Sequence, residues 1–142
     1  LWRPVLEQAR AAGLVGITSY VMWNQHESLR GTYDWGQVQP RSNISAFLQV
    51  AHDVGLYVHL RLGPYIDGEW NYGGYPWWVN DIANITSGDN RAYQVEMQRW
   101  ITTLVNKIRP FLASNGGPVI MLQIENEFSD QSSEGKRYAE WA

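Results

Sequence analysis

Three short β-prone runs, LVGITSYVMW (residues 14–23), LYVHLRL (56–62) and PVIMLQI (118–124), each follow a stretch whose apolar residues recur at helical spacing. In the first stretch Trp2, Val5, Leu6, Ala9 and Ala12 share one helical face, with Pro4 tolerated in the opening turn and Gly13 as the stop. In the second, Ile44, Phe47, Leu48, Ala51 and Val54 do the same, with Ser42 or Asn43 as N-cap and Gly55 as the stop. In the third, Tyr93, Met97, Trp100, Ile101, Leu104, Val105, Ile108, Phe111 and Leu112 hold one face until Pro110 bends or ends the helix and Asn115-Gly116-Gly117 turn the chain. SSEGKRYAEWA (132–142) opens a fourth helix, capped by Ser132 or Ser133. Strands separated by helices are joined by right-handed crossovers, so the alternation predicts an α/β fold with a parallel sheet covered by helices.

The third run raises a question. An apolar segment made for a buried strand ends in Glu125, Asn126 and Glu127, and burying an ionised carboxylate costs several kcal/mol unless it is paired or hydrogen-bonded. Either these groups join an ion-pair network or they line a cavity. Each of the other runs ends the same way: Tyr20, Asn24, His26 and Glu27 follow the first, and Arg61, Tyr65, Asp67 and Glu69 the second. In parallel α/β folds ligands bind at the C-terminal ends of strands, and polar groups at three such ends favour a site over a network. Between 63 and 90 the chain is rich in Gly, Pro and aromatics, including EWNYGGYPWW (69–78), and reads as a long structured loop of the kind that carries function.

Composition excludes some alternatives. A formal net charge of −3 provides no basic footprint for nucleic acid or anionic membranes, and no apolar run reaches the length of a membrane span. With no cysteine, disulfides, thiolate metal sites and cysteine nucleophiles are absent. His26, His52 and His59 lack metal-ligand spacing; His52, beside Asp53, reads as solvated and His59 as a satisfied core residue. Neither Gly pair belongs to a phosphate loop, and no G-x-S-x-G elbow is present. No metal or cofactor is expected. Two N-glycosylation triplets, Asn43-Ile44-Ser45 and Asn84-Ile85-Thr86, fit a secretory route.

Eight tryptophans serve either core packing or flat faces on which sugars stack. Paired carboxylates among such rings suit glycoside hydrolysis, in which one carboxylic acid protonates the leaving oxygen and another acts as nucleophile or activates water. Glu127, the last polar residue before the loop, fits the acid. Glu125 competes, although strand parity puts it on the face of Met121 and Gln123, where it reads as a deeper structural carboxylate.

The segment GLYVHLRLGPYIDGEWNYGGYPWW (55–78) resembles the glycoside hydrolase family 35 signature G-P-Y-[IV]-C-A-E-W-x-[FY]-G-G-[FLY]-P-x-W-L. GGPVIMLQIENEFS (116–129) and AGLVGITSYVMWNQHE (12–27) are similar to two further motifs of that family, with plant-type β-galactosidases nearest. The resemblance implies a (β/α)8 barrel and hydrolysis of terminal β-galactose with retention. It assigns Glu127 as general acid/base and implies that Tyr20, Gly68, Glu69 and Asn126 bind the sugar, the substrate being a β-galactoside. Asp67-Gly68 departs from the usual Cys-Ala and adds a charge beside the sugar position; Ser28 stands where the family has Pro. The family's nucleophile is a glutamate after the seventh strand. Since a whole barrel needs about 250 residues, residues 1–142 are expected to be strands two to four of a longer catalytic domain, inactive by themselves, from a secreted, lysosomal or vacuolar enzyme.

Overall fold

In a computed structural model, which describes residues 1–82 and 90–142, the glycine stops and polar caps define the helices. Helix α1 (Arg3–Ala11) leads into strand β1 (Gly16–Tyr20), and a single turn, α2 (Trp23–His26), follows at once. Helix α3 (Ile44–Val54) starts where the Asn43 amide oxygen accepts the Ala46 N–H at 2.9 Å and stops at Gly55, whose φ of +80° lies in the left-handed region that lacks a penalty for glycine. Strand β2 (Tyr57–Gly63) precedes the long loop, then come α4 (Arg91–Ile108), β3 (Val119–Ile124) and α5 (Ser133–Trp141). Pro110 sits in a short 3-10 turn, Arg109–Phe111, just past α4. Of the paired candidates, Asn43 caps α3 and Ser132 caps α5, the latter accepting the Gly135 N–H at 3.0 Å.

The strands form a parallel sheet in the order β1-β2-β3, with Ile17 opposite Val58, Tyr20 opposite Arg61, and Arg61 opposite Gln123. Alternation along β2 places Val58, Leu60 and Leu62 in the core with Leu48 and Ala51 of α3 and Trp100, Leu104 and Ile108 of α4. Each such side chain removed from water contributes about 1.5–3 kcal/mol, so the helical layer is fixed mainly by this one face. Trp100, fully buried, stacks on Trp23 at 5.9 Å and 8°, and on Trp35 at 6.1 Å and 5°.

The opposite face carries the rows Thr18–His59–Met121 and Tyr20–Arg61–Gln123. Here the buried-strand expectation for the first and third runs fails: Tyr20 is 42% exposed, and Ile120 and Met121 are each 56% exposed. Among the described residues only β2 has a neighbouring strand on both sides. His59 is likewise not a core residue; it lies half-buried on the open face, 3.4 Å from Thr18 Oγ1. His52 is exposed, as expected. The first strand ends at Tyr20, within the span its sequence implies, and Val21 and Trp23 then turn into the core as α2 begins. The long loop is built on 3-10 turns at Asn71–Gly74 and Trp77–Asp81. The Asn84 triplet lies outside the described residues.

The cap gives a measurable expectation. Asn43→Ala in the full-length protein should cost about 1 kcal/mol of stability in denaturant unfolding. Ser45→Ala, which removes the same glycosylation triplet but leaves the cap, should cost little.

Candidate active site

The polar ends of all three strands converge on the Arg61 guanidinium. From the end of β2 it donates to the Tyr20 hydroxyl at 3.1 Å and lies 4.7 Å from that ring's centroid. It donates to the Ile66 carbonyl at 3.1 Å and to the amide oxygen of Asn126. One planar cation thus joins β1, the loop after β2 and the turn after β3, a use of the rigid fork that an ammonium could not reproduce. Its Nε–H is buried and has no partner among the described residues. Because the Asn126 oxygen is taken by Arg61, its amide N–H groups are left to donate.

Of the residues expected to bind sugar, Tyr20 and Asn126 are brought together directly. Gly68 joins them: a Cβ there would lie 3.4 Å from Met22 Cε and 3.6 Å from Tyr20 Cε1. Asp67, Gly68 and Glu69 have consecutive φ values of +61°, +58° and +49°, so the loop coils left-handedly beside Tyr20. Glu69 emerges from this coil exposed, without a hydrogen-bond or ion-pair partner among the described residues. Asn24 ties β1 to the same loop, accepting the Trp70 indole N–H at 3.0 Å and donating to the Asn71 carbonyl at 3.2 Å. Tyr65 closes the coil; a Cβ on Gly73 would fall 2.1 Å from its ring, so only glycine fits there. Partial burial, then the carboxylates of Asp67 and Glu127, raise the Tyr65 phenol above its usual pKa, and its hydroxyl lies 3.5 Å from the Asp67 carboxylate.

Glu125 and Glu127 both have left-handed backbones, φ +59° and +50°, around Asn126. Parity fails at this point. The strand ends at Ile124, and the Glu125 carboxyl turns to the helical layer, accepting the hydroxyl of Tyr138 on α5, instead of facing Met121 and Gln123. Burial raises its pKa against the opposing hydrogen bonds from Tyr138 and the Tyr65 N–H. Glu127 is exposed at the rim.

Glu27 and His26, polar residues after β1, lie elsewhere. Glu27 is fully buried, accepting the Trp23 indole N–H at 2.7 Å and the Gly31 N–H at 2.6 Å and pairing with Arg99 at 2.5 Å. Arg99 also pairs with Glu96 at 2.7 Å, and Arg30 completes the network on Glu96. The ion-pair reading therefore holds for Glu27 and not for Glu125 or Glu127. His26 is buried against Trp35, its ring nitrogen 2.9 Å from the Asp34 carbonyl, and burial lowers its pKa.

Removing Arg99 would leave Glu27 charged and buried, so Arg99→Met in the full-length protein is expected to lose on the order of 3 kcal/mol in denaturant unfolding. Burial opposes ionisation of Glu96, but the hydrogen bonds and charges of Arg30 and Arg99 prevail and hold its pKa below the ordinary 4.5. Its contribution is therefore complete above that value and is lost as pH falls through the lower folded value. Glu96→Gln should flatten this part of the acid limb in stability measured against pH.

The family profile described as "Glycosyl hydrolases family 35" matches residues 1–142. The chain is 40% identical over 149 residues to "Beta-galactosidase 6" of Oryza sativa subsp. japonica, covering 100% of this chain and 17% of that protein. It is 35% identical to "Beta-galactosidase 14" and 38% identical to "Beta-galactosidase 8" of Arabidopsis thaliana, again with 100% of this chain but 16% and 17% of theirs. It thus spans about a sixth of the length of the curated relatives it matches. Three motifs that share one rim of the sheet and a family match running from end to end lead to one assignment: the chain belongs to glycosyl hydrolase family 35.

Proposed function

We propose that these residues form part of a retaining β-galactosidase that hydrolyses terminal β-D-galactose from glycosides, on a (β/α)8 barrel in which β1, β2 and β3 are strands two to four. The observation that carries the reading is the convergence on Arg61, which puts Tyr20 and Asn126 side by side at the strand ends where Glu127 stands exposed. Glu127 protonates the departing glycosidic oxygen as a second carboxylate, supplied from outside residues 1–142, attacks the anomeric carbon. Glu127 then takes a proton from the water that releases galactose. Retention requires the two carboxyl groups to stand about 5–5.5 Å apart. Tyr20, Gly68, Glu69 and Asn126 hold the galactose: Asn126 donates its amide N–H to a hydroxyl, Glu69 accepts from hydroxyls, and Gly68 allows the ring close to the backbone. Asp67 adds an acceptor where the family usually carries Cys. The two glycosylation triplets support a secreted or vacuolar site of action.

A second reading has one observation in its favour. A glycosidase acid needs a raised pKa, and it is Glu125 that burial raises. Against it, the Glu125 carboxyl is engaged by Tyr138 and turned to the helical layer.

Leaving-group dependence separates the two. In the full-length enzyme, Glu127→Gln should slow poor-leaving-group galactosides by about 10²–10⁴-fold, while activated aryl galactosides, which need no proton, lose far less in the first step. Kinetics in which Glu125→Gln shows that dependence and Glu127→Gln does not would move the role to Glu125. An enzyme without a glutamate after the seventh strand, and without turnover on any β-galactoside, would be a sugar-binding relative on the same scaffold.

A further inference from the structure

We propose that Glu125 is a positioning residue, whose carboxylate clamps the turn after β3 to α5 and so sets where Asn126 and Glu127 point. The inference rests on the acid/base reading of Glu127.

The turn is not one the backbone adopts unaided. Two side-chain-bearing residues, Glu125 and Glu127, are left-handed within three positions, and each costs about 1–2 kcal/mol relative to a right-handed backbone. Neither is Gly, Asn or Asp, the residues that tolerate that region most readily, so the surroundings must impose it. Three kinds of contact do so. The Glu125 N–H donates to the Gly63 carbonyl at 2.9 Å, continuing the sheet by one bond, and the Gln123 side-chain amide donates to the Glu125 carbonyl at 2.8 Å. Arg61 holds the Asn126 amide from the open face. From the other side the Glu125 carboxyl accepts the Tyr138 hydroxyl.

The last contact reaches furthest. Tyr138 is itself immobilised: it is 2% exposed, its hydroxyl is 3.1 Å from Met97 Sδ on α4, and its ring packs against Phe128 at 5.2 Å and Tyr93 at 6.4 Å. The Tyr93 hydroxyl lies 2.8 Å from that of Tyr75 in the long loop. The carboxylate is therefore fastened to a buried tyrosine cluster drawn from α4, α5 and the loop, while the next two residues carry the groups that would meet the sugar. Arg61 and Glu125 grip the turn from opposite faces of the sheet. Loss of the Glu125 grip leaves Asn126 held on one side and lets the backbone at 125–127 relax, and a displacement of about 1 Å at an acid is enough to cost on the order of 10²-fold in rate.

A purely structural carboxylate would affect stability and all substrates alike, whereas a positioning one acts through Glu127. The test uses the full-length enzyme and two substrates, an alkyl β-galactoside and 2,4-dinitrophenyl β-galactoside. Glu125→Ala is expected to lower kcat/KM, which reports the first step, on the alkyl substrate by about 10²-fold and on the dinitrophenyl substrate by less than about 10-fold. Glu125→Gln, which keeps an acceptor for Tyr138, should recover most of the loss, and Tyr138→Phe should show the same substrate bias more weakly. In a Glu127→Gln background, Glu125→Ala should add no further bias, since the group it positions is already gone. Equal losses on both substrates, a lowered melting temperature with unchanged kinetics, or full additivity with Glu127→Gln would each overturn the inference while leaving the galactosidase reading intact. If Glu125→Ala does not fold, Tyr138→Phe decides by the same bias. An unmutated enzyme that hydrolyses neither substrate would instead overturn the functional reading, and this inference with it.

Discussion

A guanidinium at the end of the central strand is the constraint on which the rest of the site depends. Parallel strands bring their C-terminal ends to one side of a sheet, but the peptide ladder stops there, and beyond it the chain must be held by side chains. Arg61 supplies that hold for three segments at once, through the Tyr20 hydroxyl, the Ile66 carbonyl and the Asn126 amide. Its position follows from the alternation in Leu60-Arg61-Leu62: the two leucines enter the helical core, which forces the arginine to the open face. The same hydrophobic pattern that packs the sheet therefore aims its one cation at the site.

Carboxylates in this chain divide by what surrounds them. The charges of Glu27 and Glu96 are compensated by Arg99 and Arg30, and these pairs join the segment after α2 to α4. Glu125 is offset by hydrogen bonds alone and burial raises its pKa. Glu127, Glu69 and Asp67 are exposed on the rim. The buried charges stabilise the scaffold, whereas the exposed ones face outward at the rim.

Much of this was legible in sequence because it depends on local rules. Apolar spacing marked the long helices, Gly13 and Gly55 their ends, and polar residues after each apolar run marked the rim. The family motifs add the proposed site residues Glu127, Asn126, Glu69, Gly68 and Tyr20, of which the fold brings Tyr20 and Asn126 onto Arg61. What was not legible depends on tertiary geometry. Strand parity placed Glu125 with Met121 and Gln123, and a left-handed residue immediately after Ile124 cancels parity. Glu27 looked like Glu125, a carboxylate beyond a strand, and only the approach of Arg99 from a helix 72 positions later distinguishes them. The one-turn α2 is too short for periodicity to register. Arg61 did carry a signal, a charge inside an alternating strand, but its partners lie 41 and 65 positions away.

The indole stack has a consequence of another kind. Trp23, Trp35 and Trp100 lie nearly parallel, at 5.9 and 6.1 Å, directly beneath the strand ends. Parallel chromophores so close share their electronic excitations, and the resulting signature in ultraviolet circular dichroism exists only while α2, the loop and α4 are in register. This region thus carries its own optical reporter, which follows the order of the segment that holds α2 to α4 apart from the rest of the fold.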